Sequence, residues 1–340
     1  MTTDQVRPAT PEPGPAQPGP AQPGAAAPGG QLAPVRGSRG RHAGPPAANQ
    51  SPASLLPAPA SLGRRLLAAA RSSPVAAAGL IILIAMTVFC FAGPLIYHTD
   101  QVHVFLRLAN LSPRSGHPLG TDGEGDDELG RLMVGGQASL LVGAAAGVLA
   151  AILGSLWGAV AGYAGGYLDA VMMRIVDAGI AIPAIVVLLV LVVIYRPSEL
   201  VLILAIALTS WLSTARLVRA EALTLRTREY VQMVRVMGGS GLRAVLRHIT
   251  PNTAGTIAVN VTFQIANAIL LLATLSYLGL GIQAPGVDWG GMIFQGIQTI
   301  SSGYWWQIVP PGLAIMLVVV AFTMLGDGLR DSARRESGRR

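Results

Sequence analysis

Apolar residues in this chain fall in long unbroken runs, not in the short amphipathic pattern of a water-soluble fold. Pro74 to Ile96 is uncharged over 23 positions. About 20 apolar residues of helix cross a bilayer core, so this run predicts a transmembrane helix. A cleaved signal peptide has a shorter apolar core close to the N-terminus, so the run reads as an uncleaved anchor. Later runs predict five more spans, at 135–161, 177–195, 200–217, 253–280 and 308–325. Arg196-Pro197-Ser198-Glu199 separates the third span from the fourth. The expected fold class is all-α, a polytopic membrane protein with six transmembrane helices.

The polar segments order the chain. Residues 1–63 form a tail rich in Pro, Ala and Gly without apolar periodicity, and such a tail is expected to be disordered. A docking role for it is the alternative. The first helix, 74–96, leads into a loop at 97–134. Residues 135–328 hold the other five spans and a polar loop at 218–252, and 329–340 is a basic C-terminus. If the N-terminus is cytoplasmic, the inside segments and Arg216 hold 20 of the 24 arginines. That asymmetry is the positive-inside pattern, so both termini are expected inside. It also accounts for the basic balance without a nucleic-acid partner. The acidic residues at 100 and 122–128 suit an external loop.

Composition narrows the chemistry. Charged residues make up 12% of the chain, about half the share usual in soluble domains. All the basic residues counted as Lys or Arg are arginine. A P-loop needs a lysine after its second glycine, so the chain binds no ATP in that way. It has no Schiff-base lysine either. The single cysteine, Cys90, forms no internal disulfide. No nucleophile elbow or zinc-protease motif is present, so catalysis by this chain is not expected.

The loop at 218–252 is the most informative segment. It contains Glu229-Tyr230-Val231-Gln232-Met233-Val234-Arg235-Val236-Met237-Gly238-Gly239-Ser240, then Arg243 and Arg247-His248-Ile249-Thr250-Pro251-Asn252. Its periodicity predicts a helix over 228–237, a break at Gly238-Gly239, and a second helix over about 240–249. Ser240 suits an N-cap, and Pro251 suits the start of the fifth span. Such a loop is either a plain basic connector or a docking element for a cytoplasmic partner.

Motifs along residues 75–335 resemble the inner-membrane permease subunit of dipeptide and oligopeptide ABC importers, a branch that also serves nickel uptake. The resemblance rests on His117-Pro118-Leu119-Gly120-Thr121-Asp122, Ser139-Leu140-Leu141-Val142-Gly143, Ala161-Gly162-Tyr163-Ala164-Gly165-Gly166-Tyr167-Leu168-Asp169 and Met173-Arg174-Ile175-Val176-Asp177. It also rests on the loop, Leu275-Ser276-Tyr277-Leu278-Gly279-Leu280-Gly281, Asp288-Trp289-Gly290 and Leu325-Gly326-Asp327-Gly328-Leu329-Arg330-Asp331. It implies the type I ABC importer permease fold and a multi-pass place in a bacterial inner or plasma membrane, among membrane lipid. It implies a second homologous permease subunit, two ABC ATPase domains and an extracytoplasmic solute-binding protein. No cofactor is implied in this chain; ATP and Mg would be bound by the partner ATPase.

The resemblance makes the loop the ATPase-coupling segment, with Tyr230, Gln232, Arg235, Gly238, Ser240, Arg243, Arg247, His248 and Pro251 as its candidate residues. Two departures stand out. The family's Glu-Ala-Ala is here Gln232-Met233-Val234, whose bulk implies seating on a dedicated ATPase. Its Gly-Arg-Asp after the Gly-Thr-Asp motif is here Gly125-Asp126-Asp127, a charge reversal. A nickel or other small-solute importer on the same scaffold, and an ATP-independent channel or scaffold, are the alternatives. A proton-driven secondary transporter is disfavoured, because the spans lack deep acidic residues.

Four smaller readings remain. Asn260, Gln264 and Asn267 share one helical face and line either the translocation path or an interhelical seam. Ser210, Ser213 and Thr214 are weaker candidates, since hydroxyls can bond their own helix. Arg174 and Asp177, three apart, are expected to pair, and a structural ion pair is favoured over a proton relay with Asp169. Gly143, Gly147, Gly154 and Gly158 are expected on one face that allows close helix approach. His98, Asp100, His103 and His117 match no tight ligand spacing, so no metal site is assigned to them.

Overall fold

The computed structural model describes Gly63, Arg71 and residues 73–100, 103–227 and 253–338. These lie in the compact unit Leu56–Arg340. The candidate coupling residues from Tyr230 to Pro251 lie outside the described residues.

Eight helices carry the described fold: α1 Pro74–Ile96, α2 Glu128–Ala164, α3 Gly166–Ala181, α4 Ala184–Tyr195, α5 Glu199–Arg226, α6 Ala254–Tyr277, α7 Trp289–Ile297 and α8 Val309–Gly338. Among the described residues there are no strands, only two isolated bridges in the loop before α2. Five of the helices are long and apolar enough to cross a membrane, and α3 with α4 makes a sixth if the bent pair is one span. Large apolar side chains lie exposed along them, among them Ile81, Ile84, Val88 and Leu95 on α1. Apolar surface on that scale is tolerated where lipid covers it.

The run at 177–195, expected as one helix, is two. α3 and α4 meet at an angle of 82°. Pro183 causes the break. It has no N–H to donate and pushes the residue before it out of the helical region. Ile182 is accordingly extended, with φ −93° and ψ 126°. Tyr195 ends α4, and the Ser198 hydroxyl caps α5 by accepting from Val201 N.

α2 is the axis of the bundle. Its 37 residues reach about 55 Å at 1.5 Å per residue, well beyond a hydrocarbon core of about 30 Å. One core cluster joins α1, α2, α6, α7 and α8 through Cys90, Leu132, Ile269, Trp289 and Val318. A second joins α2, α4, α5 and α6 through Val142, Leu188, Ile206 and Leu272. The glycines of α2 divide between two partners. Gly143 and Gly147 meet Ile269 and Ile265 of α6, whereas Gly154 and Gly158 meet Trp211, Thr214 and Ala215 of α5. Without an apolar driving force between helices in lipid, such close packing supplies much of the association energy.

Candidate functional site

Three polar layers lie along the bundle, and each is built across helices distant in sequence. The first lies where α5 approaches the loop at 228–252. Arg219 makes a two-pronged ion pair with Asp169 of α3, Nε to Oδ1 at 2.6 Å and Nη2 to Oδ2 at 2.7 Å. Arg216 Nη2 donates to Asp177 Oδ1 at 2.6 Å. The expected Arg174–Asp177 pair does not form; Arg174 is exposed and Asp177 turns to α5 instead. A helix-to-helix pair wins here because α5 brings guanidinium groups directly over α3. The Thr256 hydroxyl donates to Glu221 Oε1 at 3.0 Å and ties the start of α6 to the end of α5. The two stems of the loop are thus fastened together.

Asp169 is buried and its partner is two-pronged, so this pair matters more than the half-exposed Arg216–Asp177 pair. Asp169→Asn should cost about 1–2 kcal/mol of stability, read as thermal unfolding in detergent. Combining Asp169→Arg with Arg219→Asp should recover most of it. Loss of transport that the charge swap does not restore, at unchanged stability, would instead assign Asp169 a proton-transfer role.

The second layer is the seam of α5 with α6. Gln264 is buried, and its Nε2 donates to Ser210 O and Thr214 Oγ1, each at 2.7 Å. The Thr214 hydroxyl in turn donates to Asn260 Oδ1 at 2.7 Å. Ser213 bonds back to the carbonyl of Ser210 in its own helix. Asn260 and Gln264 therefore serve an interhelical network within the chain, whereas Asn267 is exposed on the bundle surface. The spacing puts the three on one helical face, but the structure gives them different neighbours.

The third layer joins the loop before α2 to the segment around α7. Thr121, fully buried, donates its hydroxyl to Leu108 O and accepts from Leu111 N at 2.8 Å. Its carbonyl accepts from Trp306 Nε1 and Gln307 Nε2, both at 3.1 Å. Gly120 has φ +80°, and a Cβ there would strike the Trp306 ring. The Asp288 carboxylate caps α7 by accepting from Gly290 N and Gly291 N, and Trp289 Nε1 donates to Leu132 O at 2.9 Å. The Gly-Thr-Asp motif thus locks the loop to Trp306 and Gln307, and the Asp-Trp-Gly motif locks the start of α7 to α2.

Charge concentrates beside this lock. Arg131 Nη1 donates to Asp126 Oδ2 at 2.5 Å and lies 3.0 Å from Asp122 Oδ2, while Nη2 donates to Gln295 Oε1 at 3.0 Å. Burial raises the Asp126 carboxyl above its usual range; Asp122 adds to the rise and Arg131 opposes it. Asp127 caps α2 through Gly130 N and meets His117 Nδ1 at 2.8 Å and the Tyr97 hydroxyl at 3.0 Å. Burial, then that Asp127 contact, pushes the Tyr97 phenol up to about 12, so it stays a donor at neutral pH. His103 pairs with Asp100, and His117 is held by Asp127, so these histidines do not converge. None of the cross-chain partners Arg219, Glu221, Gln295 and Trp306 was visible from local spacing.

Comparison with known proteins fits this architecture. Residues 154–335 match the family described as the binding-protein-dependent transport system inner membrane component. Residues 61–113 match the N-terminal TM domain of oligopeptide transport permease C. The chain belongs to this inner-membrane component family, and it is a non-catalytic permease subunit with ATP hydrolysis in separate subunits. It is 38% identical over 262 residues to the dipeptide transport system permease protein DppC of Bacillus subtilis (strain 168), covering 77% of this chain and 82% of that one. It is 35% identical over 262 residues to the oligopeptide transport system permease protein OppC of the same organism, covering 77% and 86%. OppC of Escherichia coli (strain K12) is 37% identical over 259 residues, covering 76% of this chain and 85% of that one.

Proposed function

We propose that this chain is the C-type permease subunit of an ATP-driven importer of dipeptides or oligopeptides, in a bacterial inner or plasma membrane. The observation that carries this reading is its 35–38% identity to dipeptide and oligopeptide permeases over three quarters of its length. It works with a second homologous permease, two ABC ATPase domains and an extracytoplasmic solute-binding protein. ATP and Mg belong to the ATPase; this chain holds no cofactor of its own. Both termini face the cytoplasm, a topology supported by the arginine distribution.

Residues 228–251 couple the two parts. The segment seats on the ATPase through Tyr230, Gln232, Arg235, Gly238, Ser240, Arg243, Arg247, His248 and Pro251. Its stems are fixed to one another by Thr256 and Glu221, and α5 is fixed to α3 by Arg219 and Asp169. A displacement of the loop would therefore pass into α3, α5 and α6 together. That supports conversion of ATPase closure into alternating access. Exposed Asn267 remains the candidate for the path or the seam with the second permease.

The test is purification of the complex from its native membrane with wild type and with Gly238→Asp. Wild type should bring down a second permease and the ATPases. The variant should keep the permease and lose the ATPases, because a charged side chain enters the seat. Wild type that recovers no ATPase would overturn the reading and favour a channel or scaffold.

A further inference from the structure

Asn267 carries an unmet polar group on the outside of a span. It lies near the middle of α6, about 20 Å from the first residue and about 15 Å from the last at 1.5 Å per residue. Its carboxamide is exposed and makes no hydrogen bond among the described residues. Thr87, Ser213 and Thr274 are also exposed on spans, but each donates its hydroxyl to a carbonyl of its own helix, at Leu83, Ser210 and Leu270. Asn260, half-buried two turns earlier on the same face, has its Oδ1 engaged by Thr214, and its N–H groups have no partner among the described residues.

Three surroundings can meet a carboxamide at that depth: lipid, a closely packed helix, or water. Hydrocarbon offers it no partner, which is costly. The exposed sides of α1 and α8 are apolar instead, at Ile81, Ile84 and Val88 and at Leu313, Met316 and Val320. Close helix packing in a membrane favours small residues, and α2 packs in that way through its glycines. From its midpoint on, the exposed side of α6 presents Asn267, Leu270, Thr274 and Tyr277, while Ala266 and Ala268 turn inward and are buried. That leaves a water-filled path. Residues 254–277 include no Asp, Glu, Arg, Lys, His or Cys, so α6 offers a solute no counter-charge and no imidazole or thiolate for a metal. It offers carboxamides, each with two N–H donors and an acceptor oxygen. A peptide bond presents the complementary C=O and N–H, whatever side chains flank it.

We propose that the exposed side of α6 at Asn267, with Asn260 on the same face, lines the import path and holds a peptide substrate by its backbone amides. Side chains and charged ends of the peptide are not read there. This assignment rests on the peptide-import reading. Asn260 and Gln264 tie the same helix to α5, so the face that holds the peptide moves with the coupling loop.

The test expresses the full chain with its permease, ATPase and binding-protein partners in a host that lacks other peptide importers. It follows uptake of radiolabelled Ala-Ala, Ala-Ala-Ala, Ala-Glu-Ala and Ala-Lys-Ala. Asn267→Leu keeps the size of the side chain and removes its donors and acceptor. It should lower uptake about fivefold or more, by a similar factor for every peptide that wild type takes up, with the second permease and the ATPases still co-purifying. Asn267→Gln keeps a carboxamide and should retain most of the uptake. Asn267→Cys should react with a water-soluble methanethiosulfonate reagent, whereas Ile84→Cys on the apolar side of α1 should not; Cys90 is buried, so wild type gives the background. Normal uptake by Asn267→Leu, or a loss confined to one kind of peptide side chain, overturns the inference while the import reading stands. Loss of the second permease with Asn267→Leu, or no labelling of Asn267→Cys, assigns the residue to a protein seam and overturns it too. Wild type that takes up none of the peptides overturns the import reading and this inference with it.

Discussion

Gly158→Leu should leave almost no folded protein to extract from the membrane. A Cβ at Gly158 would lie 2.9 Å from the backbone N of Arg219 and closer still to the Ala215 carbonyl oxygen. Both obstacles are main chain, so no rotamer change relieves them. Overpacking in a core that can shift its side chains costs about 1–3 kcal/mol, and this position belongs at the top of that range or above it. The consequence spreads, because α5 carries Thr214, Arg216 and Arg219, whose partners lie on α6 and α3. Separating α2 from α5 therefore strains all three polar pairings. Size-exclusion chromatography of a fluorescent fusion reads the outcome as loss of the monodisperse peak. Gly312→Leu is the matched control, since among the described residues nothing lies within 4 Å of a Cβ there. A Gly158→Leu protein extracted at wild-type yield and melting temperature would show that the α2–α5 contact is looser than its geometry.

The sequence makes spans legible where hydropathy alone decides them, and loses them where pairing decides. α1 runs from Pro74 to Ile96, as its apolar run predicts. α2 extends seven residues before the expected start at 135, because Glu128 and Arg131 are buried among loop partners and do not end the helix. α5 runs on to Arg226, since Arg216 and Arg219 find carboxylates on α3. The bend after Ile182 was available in Pro183, but a hydropathy window averages over a single proline. Of the path candidates, helical spacing puts Asn260, Gln264 and Asn267 on one side and says nothing of α5, to which Asn260 and Gln264 bond. The charge reversal at Asp126 is visible in the sequence. That Arg131, one turn on, turns back to receive it is a fact of three dimensions.

Arg131→Met should destabilise the protein nearly as much as the glycine substitution, by a different physical route. The methionine keeps the length and apolar stem of the arginine but brings no charge. Asp122 and Asp126 would then stay buried with their Oδ2 atoms unpaired, and Gln295 would lose its donor. Removing one partner of a buried ion pair costs about 3–5 kcal/mol, because the other charge remains uncompensated. The melting temperature should fall accordingly. Asp126→Asn added to Arg131→Met should recover part of the loss, since it deletes one of the stranded charges. The recovery should be incomplete, because Asp122 stays charged and is itself held in place by the N–H groups of Glu124 and Asp126. A double variant no more stable than Arg131→Met alone would mean that shape, not charge, is what Arg131 contributes. Arg131 also contacts both the acidic loop and the α7 segment with one guanidinium. Its loss should therefore loosen the loop before α2 and the α7 segment together, seen as faster hydrogen exchange in both 120–127 and 288–297, while exchange in α5 stays unchanged.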